Sequence, residues 1–146
     1  MNKDVKGLIK YLSLMCVIWL LPVVMLYCGL LAYGYSDHGK EFIAYIFLLL
    51  GLVLFLLYFI LPVIFTYKAM KNHWSKYLDI FFYNKWLPTI ILIILIGLYF
   101  VLPPLKYEWI SFFVLPYYCT IYLTILAVNL INWYKNKYKK KYLNLL

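Results

Sequence analysis

At 146 residues, 67% hydrophobic and only 13% charged, the chain lacks the polar surface that a water-soluble globule of this size needs to cover a core. Its formal net charge of +9 comes from lysine alone, without arginine. A soluble domain is excluded, and what remains is a chain whose solvent is a bilayer.

Four charge-free stretches carry the hydrophobicity. They predict transmembrane spans over about 11–33, 42–67, 86–105 and 109–134, since about 20 apolar residues cross the hydrocarbon core as a helix. Backbone amides in lipid must be satisfied within the segment, and these continuous runs of Leu, Ile, Phe and Val lack the alternation a barrel requires. The expected fold is all-α, a single domain over 1–146. It has four transmembrane helices in two hairpins, a cytoplasmic interfacial amphipathic helix over about 68–82, and a basic tail over 135–146.

The first span follows Lys3, Lys6 and Lys10 and ends near Ala32-Tyr33-Gly34, which superficially resembles a signal peptide. Its apolar run exceeds the 7–15 residues of a signal core, so an uncleaved helix is expected. Trp19 lies inside it, where an indole N–H requires a partner from another helix. Pro22 here, Pro62 in the second span and Pro116 in the fourth predict kinks, because proline removes one helical hydrogen bond. Pro88 and the pair Pro103-Pro104 read as helix boundaries.

Between the second and third spans, a helical projection puts Met70, Trp74, Tyr77, Leu78 and Phe81 on one face. Lys68, Lys71, Asn72, Ser75, Lys76 and Asp79 fall on the other. That pattern predicts a helix in the headgroup plane. The fourth span carries a small, weakly polar stripe of Pro116, Thr120, Thr124 and Ala127, suited to close helix approach. Tyr117, Tyr118, Thr120 and Thr124 form the candidate partner-binding group.

Orientation follows from lysine bias. Lysines of the N-terminus, of the 68–85 connector and of the tail account for twelve of the fourteen, leaving Lys40 and Lys106 on the other side. Both termini and the connector are expected in the cytoplasm. Tyr33, Tyr35, Tyr107 and Trp109 would mark the outer boundary, and Trp74, Trp86, Trp133 and Tyr134 the inner one. Lys68, Lys71, Lys76, Lys135, Lys137, Lys139, Lys140 and Lys141 are the candidate contacts to anionic headgroups. Topology and lipid account for this charge without nucleic acid.

Every Asp, Glu, His and Lys lies outside the four stretches, which argues against proton-coupled transport and against an intramembrane hydrolase acting through Ser13 or Ser111. Cys16, Cys28 and Cys119 lack C-x-x-C spacing, and His38 and His73 fall on opposite sides. No metal, no cofactor and no enzymatic activity are expected.

Small size, four spans, minimal loops and both ends inside resemble the inner-membrane immunity proteins that protect bacteria from pore-forming colicins and related bacteriocins. The all-lysine, Tyr- and Ile-rich composition fits a low-GC bacterial gene. The resemblance implies a protein of the bacterial inner membrane that recognises a toxin's pore-forming helices within the bilayer. Two alternatives stay open: a non-catalytic subunit or assembly factor of a larger membrane complex, and a small oligomeric channel lined by Thr66, Thr89, Thr120, Thr124 and Asn129.

Overall fold

The computed structural model describes residues 2–101 and 104–145, with side chains described outside 104–112. All regular structure among them is helical: α1 (Lys3–Trp19), α2 (Leu21–Asp37), α3 (Glu41–Lys71), α4 (Lys76–Tyr83), α5 (Leu87–Val101) and α6 (Pro104–Leu143). The expected boundary residues Tyr107 and Trp109, together with Lys106, Ser111 and Pro103, lie outside the described side chains.

Asn2 opens α1, its side chain accepting the Asp4 N–H. The helix breaks at Leu20 because Pro22 has no N–H to offer the Ile18 carbonyl. Leu20 N–H bonds the Val17 carbonyl at 3.1 Å instead, a tightened i→i−3 turn, and α2 starts with proline in its first turn. Pro62 and Pro116, by contrast, lie inside helices that continue through them. The difference is positional: Pro22 stands at a helix start, where its missing donor is an orphan anyway.

Helices α2 and α3 are joined by a Schellman turn. Gly39 takes φ 69°, its N–H bonds the Ser36 carbonyl, and Lys40 N–H reaches back to Tyr35; this is the six-to-one and five-to-two pattern that closes a helix. The same device ends α3. His73 adopts φ 46°, Trp74 N–H bonds the Ala69 carbonyl, and Ser75 then caps α4 by accepting the Tyr77 N–H.

The single interfacial helix expected over 68–82 is therefore two helices with a four-residue break. Ser75, placed on the polar face by the projection, is fully buried as the cap, and Tyr77, placed on the apolar face, is exposed. Met70, Leu78 and Phe82 are buried and Trp74 half-buried. A second turn follows directly. Asn84 Oδ1 accepts the N–H groups of Trp86 and Leu87 at 2.9 and 3.0 Å, and α5 leaves α4 at 73°.

One cluster holds the helices together, built from Tyr11, Met15, Ala69, Met70, Leu78, Phe82, Ile121 and Ile125. It lies where α1, α3, α4 and α6 meet, at the lysine-rich end. Toward the 38–40 turn, α2 and α3 pair on Cys28, Ala32 and Ala44. Helix α5 buries only Pro88.

Most other large apolar side chains face outward, Leu30 at 70% and Val101 at 80% exposure among them. Three helical stretches, Lys3–Asp37, Glu41–Lys71 and Phe113–Leu143, are long and apolar enough to cross a bilayer, and α4 with α5 makes a fourth if the bent pair is one span. A surface of this kind marks a membrane protein.

Gly7 is the most closely approached of the glycines. A β-carbon there would collide with the Trp74 carbonyl oxygen, a backbone atom that cannot turn aside. Gly7→Ala is expected to destabilise the protein by about 1–3 kcal/mol, read from unfolding in detergent. Gly97→Ala, with open space around the new methyl, should leave stability unchanged or slightly raised.

Candidate functional site

Polar side chains within the bundle converge on backbone carbonyls, and tyrosine supplies most of them. A phenol is well suited to this: its ring packs like any apolar group while its hydroxyl donates. Tyr58 donates to the Phe113 carbonyl at 2.6 Å, in the turn preceding Pro116, where the proline ring pushes carbonyls away from their helical partners. Tyr117 donates to the Met15 carbonyl at 2.9 Å, with the Met15 sulfur also in range. Tyr118 donates to the Pro88 carbonyl at 2.9 Å.

Helix ends receive the same treatment. The Met70 carbonyl, in the last turn of α3, accepts from Tyr83. The Phe82 carbonyl of α4 accepts from Asn129 Nδ2 at 2.9 Å. Both satisfy acceptors that a terminating helix leaves open. Burial, and then the neighbouring Asp79 carboxylate, push the Tyr83 phenol up from its ordinary value, so it remains a donor throughout the neutral range.

Three hydroxyl pairs complete the network. Tyr11 and Thr66 meet at 3.0 Å in the buried core, and Thr89 meets Tyr122 at 3.0 Å between α5 and α6. Tyr134 meets Tyr138 at 2.7 Å on the exposed end of α6. Trp19 is exposed on the outside of the bundle.

The four residues expected to face a partner are thus engaged within the monomer. Tyr117 and Tyr118 donate as above, and Tyr117 also stacks on Tyr58 at 5.2 Å. Thr120 and Thr124 return their hydroxyls to their own helix, to the Tyr117 and Thr120 carbonyls at 2.7 and 2.8 Å, and Thr124 is buried. Of the residues considered for a channel lining, Thr66, Thr89 and Asn129 pair with separate neighbours rather than with a common space.

The lysines sit as amphipathic anchors do. Lys10 Nζ lies 4.4 Å above the Trp74 ring, Lys71 5.9 Å from Tyr67, Lys76 5.3 Å from Tyr77 and Lys137 5.1 Å from Trp133. Lys68, Lys135, Lys139, Lys140 and Lys141 are exposed, and the last four extend α6 as a basic helical end. Asp4 joins two of these segments, its Oδ1 accepting the Lys76 N–H at 3.0 Å. All three cysteines are free. Among the described residues no three His, Cys, Asp or Glu side chains gather as metal ligands.

Projection along one helix could not find Tyr11, Tyr58, Tyr83, Asp4 or Gly7, because each matters through a partner 13 or more positions away. The available signal was chemical: a phenol in an otherwise apolar run needs an acceptor, as Trp19 does. No protein-family model, curated protein or solved structure matches the chain.

Tyr11→Phe leaves the Thr66 hydroxyl without its buried partner and should cost about 1–2 kcal/mol. Adding Thr66→Val removes the stranded group. The double variant is expected to be less destabilised than the sum of the singles, giving a coupling of about 1 kcal/mol in a detergent unfolding cycle.

Proposed function

We propose that this chain is a four-span protein of the bacterial cytoplasmic membrane that acts by lateral helix-to-helix recognition, as an immunity protein against a pore-forming toxin. The observation that carries this reading is the disposition of polar groups. Hydroxyls and amides inside the bundle are turned onto neighbouring helices or, at Thr120 and Thr124, back onto their own, and the surface offered to the bilayer is shape, aromatic rings and aliphatic side chains. Such a surface serves recognition rather than chemistry.

The proposed topology has two hairpins, both termini and α4 inside, and α4 lying as an amphipathic element at the headgroups. What supports it is the lysine bias together with the Asp4–Lys76 and Asn129–Phe82 bonds. They bring the N-terminus, the connector and the last turns before the basic tail to one end. Anionic lipid on the cytoplasmic leaflet would then contact all three lysine groups. Tyr117, Tyr118, Thr120 and Thr124 enter this reading as residues that shape α6, leaving its outward recognition to neighbours such as Leu123, Leu126 and Leu130, all exposed.

A second reading, as a non-catalytic subunit or assembly factor, is favoured by α5. Its outer half is exposed at Leu98, Tyr99, Phe100 and Val101, which fits a permanent neighbour as well as a transient one.

Expressed alone in a sensitive bacterium, the chain should raise survival under one member of a panel of pore-forming bacteriocins by orders of magnitude. No protection across the panel, with a stoichiometric membrane partner after mild-detergent purification, would establish the subunit reading instead. In intact cells, a cysteine at Ser36→Cys should react with a membrane-impermeant thiol reagent and one at Asn144→Cys should not; the reverse pattern would overturn the topology.

A further inference from the structure

Apart from the tyrosine network, α2 and α3 part near the 38–40 turn and leave an open groove of about 330 Å³. It exists because the residues between the helices there are small. Ala32 and Ala44 are buried at its base, while Tyr33 and Tyr45 stand exposed, one from each helix. Ser36 and Glu41 complete its polar part. The volume lies at the lower end of the range for ligand pockets, about 300–1,000 Å³, and suits one long side chain.

Glu41 gives the groove its sign. It begins α3, where the positive end of the helix dipole favours a charged carboxylate. Among the described residues it makes no ion pair and no side-chain hydrogen bond, although Lys40 precedes it. A free carboxylate at the rim, two tyrosine rings and a small apolar base form a set with one complementary occupant. The carboxylate matches a positive charge, the ring faces attract a cation within about 6 Å, and the alanines accept methylene groups.

We propose that this groove seats a basic side chain, lysine or arginine, presented by the membrane-inserting partner. The assignment of that partner rests on the recognition function proposed above; the chemistry of the groove does not. A cation on a long aliphatic stem can rest its stem between α2 and α3 while its charge stays at the water boundary with Glu41. An apolar side chain would leave the carboxylate unmatched, and an acidic one would be repelled by it.

The test uses the full-length chain purified in nonionic detergent and titrated with n-butylammonium chloride, a lysine side-chain mimic, with butanol and sodium butyrate as controls of equal length. Butylammonium alone is expected to raise the thermal unfolding midpoint saturably. Glu41→Gln should weaken the apparent affinity about fivefold, the scale of one exposed charge pair, and Tyr33→Leu should weaken it through loss of a ring face. An equal response to butanol, or an unchanged response in Glu41→Gln, overturns the groove as a cation site. A chain that protects cells yet fails this titration refutes the groove alone, whereas one that binds butylammonium and protects against nothing refutes the immunity reading and leaves the groove standing.

Discussion

In lipid, helices gain little from hiding apolar surface from one another, because the acyl chains are as apolar as leucine. What remains to hold a bundle is close packing and the satisfaction of polar groups that hydrocarbon cannot solvate. Here that satisfaction comes chiefly from tyrosine hydroxyls on backbone carbonyls. Tyr58, Tyr83, Tyr117 and Tyr118 each tie one helix to a carbonyl of another. Because the acceptor is backbone, such a bond fixes the position of a helix and not merely that of a side chain.

The ties are unevenly distributed, and the shape follows from that. Tyr11, Tyr83, Asn129 and Asp4 act at the end where α1, α3, α4 and α6 meet, and the buried cluster lies there too. Gly7 allows the first helix to reach the backbone at Trp74, bringing Lys10 over the indole. At the other end, α2 and α3 rest on small residues and one aromatic stack, Tyr35 on Phe47. Among the described residues, the ties of α1, α3, α4 and α6 are therefore concentrated at the lysine-rich end.

Helical class and hydrophobic extent were legible in the sequence because they depend on composition over tens of residues, which no single contact can reverse. The role of Pro88 at a helix start was legible for the same local reason. The bend at Asn84, where α5 leaves α4, was not: a side-chain amide capping the next helix is turn chemistry that an apolar run does not reveal. The break at Asn72–Ser75 was hidden because a helical projection assumes the helix it tests. His73 in the left-handed region and Ser75 as a cap are turn chemistry, and the periodicity of Met70, Trp74 and Leu78 continues across them. Tyr117, Tyr118, Thr120 and Thr124 were expected to meet a partner, and within this chain their hydroxyls already have acceptors; a sequence does not distinguish another chain from the next helix.

That distinction bears directly on how such a protein recognises anything. A polar group engaged inside the monomer cannot also supply specificity to a complex, so discrimination must come from groups left over. Among the described residues of α2 and α3, Asp37 and Glu41 both lack an ion pair, and Glu41 lines the open groove at the end of the bundle opposite the buried cluster. On the proposed reading, a cation matched there favours partners that bring one by about fivefold, the scale of an exposed charge pair.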